Sequence, residues 1–588
     1  MAESIISPGV LTRENDISFV QPAPVQAGAA FIGPTVKGPD NQPTIVTSYN
    51  DYVRKFGETF ISGSTNYEFL TSIAVKNYFS QGGNTALITR VVSGAYDPAV
   101  STFISSSGKA SIEPFQLKTL GKGEMYNNAT SSLQPLTNAG AYLNSDGSLI
   151  SGSADNIRWE IQNVNNGSGT FTLLVRQGND NTNNPIILET FNNLSLDPTS
   201  PNYIEAVIGN QYTTVGTDGN VSYIYKEGTY PNRSNYIRVS AVDLKTPNYL
   251  GTDGITVGKD STNTSYSASL PTPRSGSFYN AAGAVKSGAT YFANLGTNNN
   301  DAQGLVAANY SKAISLLSNQ DEYVFNIISA PGMIHSSTIG QSVNSSIISL
   351  AESRGDCIAV VDLVPTGSFI SLVTEKAIGI NSSYAATYWP WVQVQSATGK
   401  NEYVPAGTVI PGVYAFTDNA SAPWFAPAGL VRGGLAGVIQ TERKLTKGDR
   451  DTLYLGKVNP IATFPGTGIS VFGQKTLQTK ASALDRVNVR RLLIELKKFI
   501  GDQARNLVFE QNTIATRNRF LATVNPYLES VVQRQGLYAY RVVMDDTNNT
   551  ADVVDRNQLV GQIFIQPTKT IEFVVLDFTI EPTGATFA

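Results

Sequence analysis

Leu484-Asp-Arg-Val-Asn-Val-Arg-Arg-Leu-Leu-Ile-Glu-Leu-Lys-Lys-Phe-Ile-Gly501 opens the last hundred residues of the chain. Val489, Leu492, Leu493, Leu496, Phe499 and Ile500 recur at three and four residues, which predicts one apolar stripe on a helix. Arg491, Glu495, Lys498, Asp502 and Arg505 step down the other side with alternating sign, so that side is expected to face solvent or a partner. Gly501 costs such a helix about 1 kcal/mol relative to Ala, and a packing or bending reason for it is expected. A second helical run leads to Asn525-Pro526, an N-cap before a proline, which predicts a last helix starting there and ending at Gly536 as a left-handed cap. Strands are expected at Leu537–Met544 and Leu559–Gln566, separated by a polar turn at 545–550. The run from Ile571 to Ile580 is apolar on both faces, with Val574, Leu576, Phe578 and Ile580 on one and Ile571, Phe573 and Val575 on the other. A strand of that kind must be covered on both sides, yet it lies where chain ends usually fray. It is either buried in its own domain or completed by another chain.

The rest of the chain bounds what such a segment can belong to. A length of 588 residues allows three or four domains. A net charge of −4 argues against a surface built for phosphate backbones. A single cysteine, Cys357, excludes a disulfide within the chain, and a single histidine, His335, argues against a zinc site of His and Cys ligands. Met1 to Val10 lacks the basic start and apolar core of a signal peptide. No run approaches the ~18–20 apolar residues that span a membrane, so a soluble chain without membrane insertion is expected.

Taken in order, residues 1–22 read as an extended arm, because Ser7-Pro-Gly turns the chain and Pro22 and Pro24 prevent helix. Ile5, Ile6, Val10, Leu11, Ile17, Phe19 and Val20 make that arm too apolar for a solvated tail. From Gly28 to Val92 the chain reads as a compact unit, with strand material at Ala29–Pro34 and a strand over 85–92. Between them a helix is expected over Tyr67–Phe79, with Phe69, Leu70, Ile73 and Tyr78 in the core. From about 97 to 315 the chain becomes rich in Ser, Asn, Thr and Gly, with short alternating strands such as Arg158–Gln162 and Thr170–Arg176. One or two inserted all-β domains are expected there, with 250–305 as a surface excursion. After 316, Tyr323–Gly332, a helix to about Arg354 and Cys357–Pro365 form strand, helix, strand. That spacing implies a parallel pair covered on both faces.

Candidate chemistry is sparse. Cys357 opens a buried strand and reads as a core thiol. His335 has no carboxylate or base near it in sequence. Asp362 ends a strand where α/β enzymes place acids, but no second group joins it. Gly82-Gly83 follow a helix and precede a strand, the wrong order for a phosphate cradle, and read as a plain turn. Gly468 and Gly473 nearly spell a P-loop, yet Gln474 pushes Lys475 one place late. No catalytic residue, cofactor or metal site is expected.

Several blocks resemble one family in its own order. They are Ser7-Pro-Gly-Val10 with Glu14; Phe56-Gly57, Tyr78-Phe79, Gly82-Gly83 and Arg90-Val91; Tyr388-Trp-Pro-Trp391, Val404-Pro-Ala-Gly407, Pro411-Gly-Val-Tyr414 and Trp424-Phe-Ala-Pro-Ala428. Val487-Asn-Val-Arg-Arg-Leu492, Val508-Phe-Glu-Gln-Asn512, Gln535-Gly-Leu537, 545–548 and Ile571-Glu-Phe-Val574 continue the series. Over residues 1–95 and 316–587, and more loosely between, the chain resembles contractile phage tail sheath proteins. The resemblance implies an α+β multidomain fold: an α/β core and an α+β C-terminal domain, with inserted all-β domain(s) and extended terminal arms. The expected division is a linking arm at 1–22, a discontinuous core at 23–96 and 316–478, an outer insert at 97–315, and an inner C-terminal domain at 479–588.

By the same resemblance the subunit polymerises with itself in stacked hexameric rings around a tail tube protein. It meets baseplate and tail terminator proteins, and contracts to drive the tube through a cell envelope, with no nucleic acid contact. It would belong to the virion tail, assembled in the host cytoplasm. The arm residues above, and Ile571, Phe573, Val574, Val575, Leu576, Phe578 and Ile580, would then link neighbours as added β-strands. Leu484 to Arg534 holds nine Lys and Arg against five acids. Arg490, Arg491, Lys497 and Lys498 are therefore candidates for tube contact, weighed against a plain solvated helix face. The competing classes are a non-contractile virion surface protein or adhesin, and a β-rich polysaccharide-degrading enzyme with Asp/Glu pairs. An enzyme would purify as a monomer or small oligomer, a sheath as long tubes.

Overall fold

The two apolar runs on either side of the helix ending at Arg354 pair in parallel, as their spacing requires. In the computed structural model, which describes residues 25–62, 65–109, 111–128, 144, 146–219, 221–250, 266–283, 303 and 305–572, they lie at the centre of an eight-stranded sheet. Its strands are β1 (Val25–Gly33), β2 (Thr44–Val46), β3 (Ala86–Arg90), β4 (Tyr323–Ile334), β5 (Ile358–Asp362), β6 (Ala385–Trp389), β7 (Asn459–Phe464) and β8 (Gly468–Val471). They are ordered β2-β3-β1-β4-β5-β6-β7-β8. The six inner strands are parallel, and β2 and β8 close the edges antiparallel.

Both faces of this sheet are covered, and successive residues of one strand serve opposite cores. Ala30 and Ile32 of β1 pack with helix α2 (Thr338–Arg354), while Ala29 and Phe31 pack with α1 (Leu70–Ser80) and α3 (Ile410–Ala420). Helix α1 starts later than the sequence suggests, because Tyr67 is held in a hairpin strand, Thr65–Glu68. Phe69, Leu70, Ile73 and Tyr78 are nonetheless all buried. Helix α2 is capped at both ends: Ser337 Oγ accepts the Gly340 N–H at 3.0 Å, and Gly355 ends it at φ 70°.

Between β3 and β4 the chain builds a second, wholly antiparallel sheet of seven strands. Its order is Ile187–Ser195, Thr170–Gln177, Ile157–Asn165, Arg274–Tyr279, Pro98–Ser101, Phe115–Lys122, Ile237–Val242. Phe115, Leu117, Trp159, Phe171 and Val175 form its core. Most of 250–305 lies outside the described residues. The two sheets are tied by Arg90, the last residue of β3, which is buried. Its guanidinium donates to the carbonyls of Gly38 at 2.6 Å and Lys122 at 2.9 Å. Two ion pairs flank it, Lys122–Asp40 at 2.9 Å and Lys37–Asp155 at 3.1 Å.

The C-terminal region packs α4 (Val487–Arg505) on α5 (Ile514–Gln533) and on an antiparallel hairpin, Leu537–Val543 with Gln562–Pro567. Three expectations are corrected here. Asn525-Pro526 starts no helix: α5 begins at Thr513, whose hydroxyl caps Thr516 N–H, and runs through Pro526. Burial of Phe520, Val524, Leu528 and Val531 on both sides of the proline offsets its cost of about 3 kcal/mol. The left-handed cap is Gln535 at φ 63°, not Gly536. Gly536 N–H instead reaches back to the Val531 carbonyl, and a Cβ there would meet Val531 at 2.6 Å and Trp424 at 3.2 Å. Gly501 has no packing reason, since a Cβ would find nothing within 4 Å and the helix continues past it.

Arg90→Ala removes the side-chain donor from the Gly38 and Lys122 carbonyls, at about 1–3 kcal/mol. The expected outcome is a lower unfolding temperature, together with faster proteolysis of the connection 91–97. A variant unchanged in both would show that Arg90 does not join the sheets.

Candidate interaction surfaces

The groups that could carry chemistry are dispersed and enclosed. Cys357 is buried and free, and burial pushes its thiol up, away from the reactive thiolate. Burial raises the Asp362 carboxyl to about 7 against the single N–H of Gly407 at 2.8 Å. His335 meets Asp362 only through the backbone, its N–H donating to the Asp362 carbonyl. Lys475 is spent on the Tyr454 carbonyl at 2.9 Å and on that tyrosine's ring at 4.1 Å. Gly82 turns the chain at φ 95° between α1 and β3. Among the described residues no group of three or more His, Cys, Asp or Glu could hold a metal, and no helix is long and apolar enough to cross a membrane.

The four cationic candidates of α4 separate by position. Val487 and Ile494 pack into the core beneath the large sheet while Leu492 and Leu496 pack toward α5, so the first turns of α4 are enclosed all round. Arg490 and Arg491 are therefore buried, which corrects the expectation that they face a partner. Arg491 pairs with Asp418 of α3 at 2.5 Å and lies 4.8 Å from the Tyr414 ring centre. Arg490 donates to the Ser383 hydroxyl and lies 4.1 Å from the centre of the Tyr384 ring. Arg491 thus holds α4 to α3, and Arg490 holds it to the chain just before β6. Helical periodicity placed Arg491 opposite the apolar stripe, but here both sides of the helix are inside. Lys497 is exposed and Lys498 half-buried about two turns further on, where the helix leaves the core.

The hairpin 537–543/562–567 is a sheet of only two strands, and neither outer edge is paired among the described residues. Tyr540, Val542, Ile563 and Ile565 lean on the α4–α5 cluster, while Tyr538 and Phe564 are exposed. The chain then returns to the large sheet and is clamped at Glu572. Arg486 binds that carboxylate through two bonds, at 2.8 and 3.0 Å, and Tyr454 and Gln474 add hydrogen bonds. Sequence reasoning missed this clamp; its one signal was an acid at the head of an apolar run. Of the candidate strand residues only Ile571 is described, and it is exposed. Phe573, Val574, Val575, Leu576, Phe578 and Ile580 lie outside the described residues, as do Ile5, Ile6, Val10, Leu11, Ile17, Phe19 and Val20.

Two family models match the chain: the phage tail sheath protein central domain over residues 304–477 and the phage tail sheath C-terminal domain over residues 479–581. The tail sheath protein of Vibrio phage KVP40 is 41% identical over 196 residues, 33% of this chain and 29% of the relative. That of Enterobacteria phage T4 is 35% identical over 264 residues, 42% of this chain and 40% of the relative. The aligned stretches thus span less than half the length of these relatives. The sheath tail protein of Listeria innocua shares the fold, with a TM-score of 0.51 over 92% of this chain and 96% of its own at 10% identity.

The Glu572 clamp is expected to respond to acid. Burial alone would raise its carboxyl, but the bonds from Arg486 and Tyr454 outweigh burial and hold it below the ordinary glutamate range. A carboxylate lowered in the folded state stabilises fully above its unfolded value of about 4.3, and loses that as pH falls through the folded value. Glu572→Gln at neutral pH should therefore lower amide protection over residues 568–572 to the level wild type reaches once acid has protonated the carboxylate. Equal protection in the two proteins at neutral pH would refute the clamp.

Proposed function

The chain belongs to the phage tail sheath family, and on that premise we propose that it is the structural subunit of a contractile tail sheath. It polymerises in helically stacked rings of six around a tail tube, meets baseplate and terminator proteins at the ends, and contracts to drive the tube through a host cell envelope. It acts in the virion tail after assembly in the host cytoplasm. The observation that carries this reading is the two-stranded hairpin with both edges open, beside the clamp that leads into an apolar final run. A two-stranded sheet is marginal alone, and open edges accept further strands through main-chain hydrogen bonds. The apolar segments 5–20 and 571–580 of neighbouring copies supply those strands.

In this reading the enclosed arginines make each subunit a rigid body, and the linking strands let rigid bodies turn against one another. The extended lattice stores free energy behind a kinetic barrier, so firing needs no nucleotide. The seven-stranded sheet, within the division 97–315, stands on the outside of the polymer, and residues 479–588 on the inside. Lys497 and Lys498, the two candidates left at the surface, meet an acidic tube. Exposed pairs of about 0–1 kcal/mol each hold firmly in number yet break singly.

Deleting residues 1–20 is expected to leave a folded, soluble subunit that forms no tubes by electron microscopy; normal tubes would sink the role of the arm. Changing Lys497 and Lys498 to Glu should abolish assembly on tail tubes while tube-free sheath polymer still forms. Normal loading of the double variant onto tubes would place the tube contact elsewhere.

A further inference from the structure

The turn joining α4 to α5 holds an aromatic side chain in water. Phe509 is fully exposed, with Val508 and Ile514 exposed on either side of it. Its backbone sits at φ 71°, a conformation that L-residues rarely adopt and that persists only where the surroundings impose it. Those surroundings are firm. Leu507 packs inward, and Glu510 N–H returns to its carbonyl at 3.0 Å. Asn512 donates to the Gln558 carbonyl at 2.9 Å, and Arg517 holds both Asn512 at 3.0 Å and Asp546 at 2.7 Å. The turn is thus a pre-shaped apolar knob, which reduces the ordering cost of any contact it makes.

Elsewhere on the chain lies an open hollow of about 830 Å³, in which apolar side chains stand beside Ser80, Gln81, Gln440, Thr441, Thr463 and Thr467. Phe416 of α3, Val431, Leu435, Val438, Ile439 and Ile469 of β8 line it. Val431, Ile439 and Phe416 remain exposed there. Lys444 stands at its border, exposed and without an ion pair among the described residues. Glu510, next to the knob, has only a long exposed pair with Arg519 at 3.4 Å, of little worth.

We propose that Phe509 of one copy inserts into this site on the next copy, bringing Glu510 to Lys444. The proposal rests on the sheath reading and names one of its contacts. The two patches are different surfaces of the same chain, so the contact is heterologous and propagates into a helical polymer rather than closing a dimer. A buried aromatic anchor ringed by a polar pair is the usual arrangement of an interface hot spot.

Cys357 is the one native cysteine and is buried, so introduced thiols report alone. Val508→Cys with Ile439→Cys leaves Phe509 in place. After assembly and treatment with a short bis-maleimide it should give a ladder of covalent multimers, and a mixture of the two single variants should give dimers only. Well-formed tubes without a ladder, a crosslink within one chain, or one to the tube protein would each overturn the contact while leaving the sheath reading standing. A chain that forms no tubes under any condition overturns both. As a second arm, Phe509→Gly relieves the left-handed backbone, so its unfolding temperature should hold or rise while tube yield falls about tenfold or more. Full tube yield from Phe509→Gly would refute the proposal.

Discussion

Strands β1, β3 and β4 to β7 are apolar on both faces, and a parallel sheet of that kind exists only if each face is roofed. The roofs come from two distant regions of the chain. Helix α1, from the first hundred residues, shares one face with α3, while α2 takes the other. Because β1 lies between β3 and β4, the first segment cannot close a core without the second. Everything between Arg90 and Tyr323 must therefore leave the sheet and come back, which allows a second sheet to be inserted without disturbing the first.

The joints of the molecule use a different physics from its surfaces. Arg90, Arg490 and Arg491 are buried, and each engages carbonyls, a hydroxyl, a carboxylate or an aromatic face, while one guanidinium nitrogen of each (Nε of Arg90 and Arg490, Nη1 of Arg491) has no hydrogen-bond partner among the described residues. A fixed planar donor fork suits such sites better than a lysine would. These contacts lose far more on breaking than exposed pairs such as Arg519–Glu510 or Arg505–Asp321. Strong contacts lie inside the subunit, and weak ones lie on its surface.

The open hairpin and the Glu572 clamp divide labour in the same way. The clamp fixes where the chain leaves the sheet, while the hairpin, with one face on α4 and α5, keeps both edges free among the described residues. A fixed point of departure thus lies beside edges that are unpaired among the described residues.

The sequence by itself determined the central strand-helix-strand unit, its parallel pairing, the β character between β3 and β4, and the resemblance to one family. Each rests on local signals: apolar runs of strand length, alternation in 158–176, and dispersed motifs in one order. Only the tertiary structure decided the fate of α4. Its periodicity marked one buried side, but packing between the large sheet and α5 buried both, so Arg490 and Arg491 became joints instead of a surface. It also decided that α5 runs through Pro526, because burial on both sides of the proline outweighs one lost hydrogen bond. The Glu572 clamp joins residues 86 apart, Arg486 and Glu572, and no pattern of neighbours announces a contact that long-range packing alone brings together.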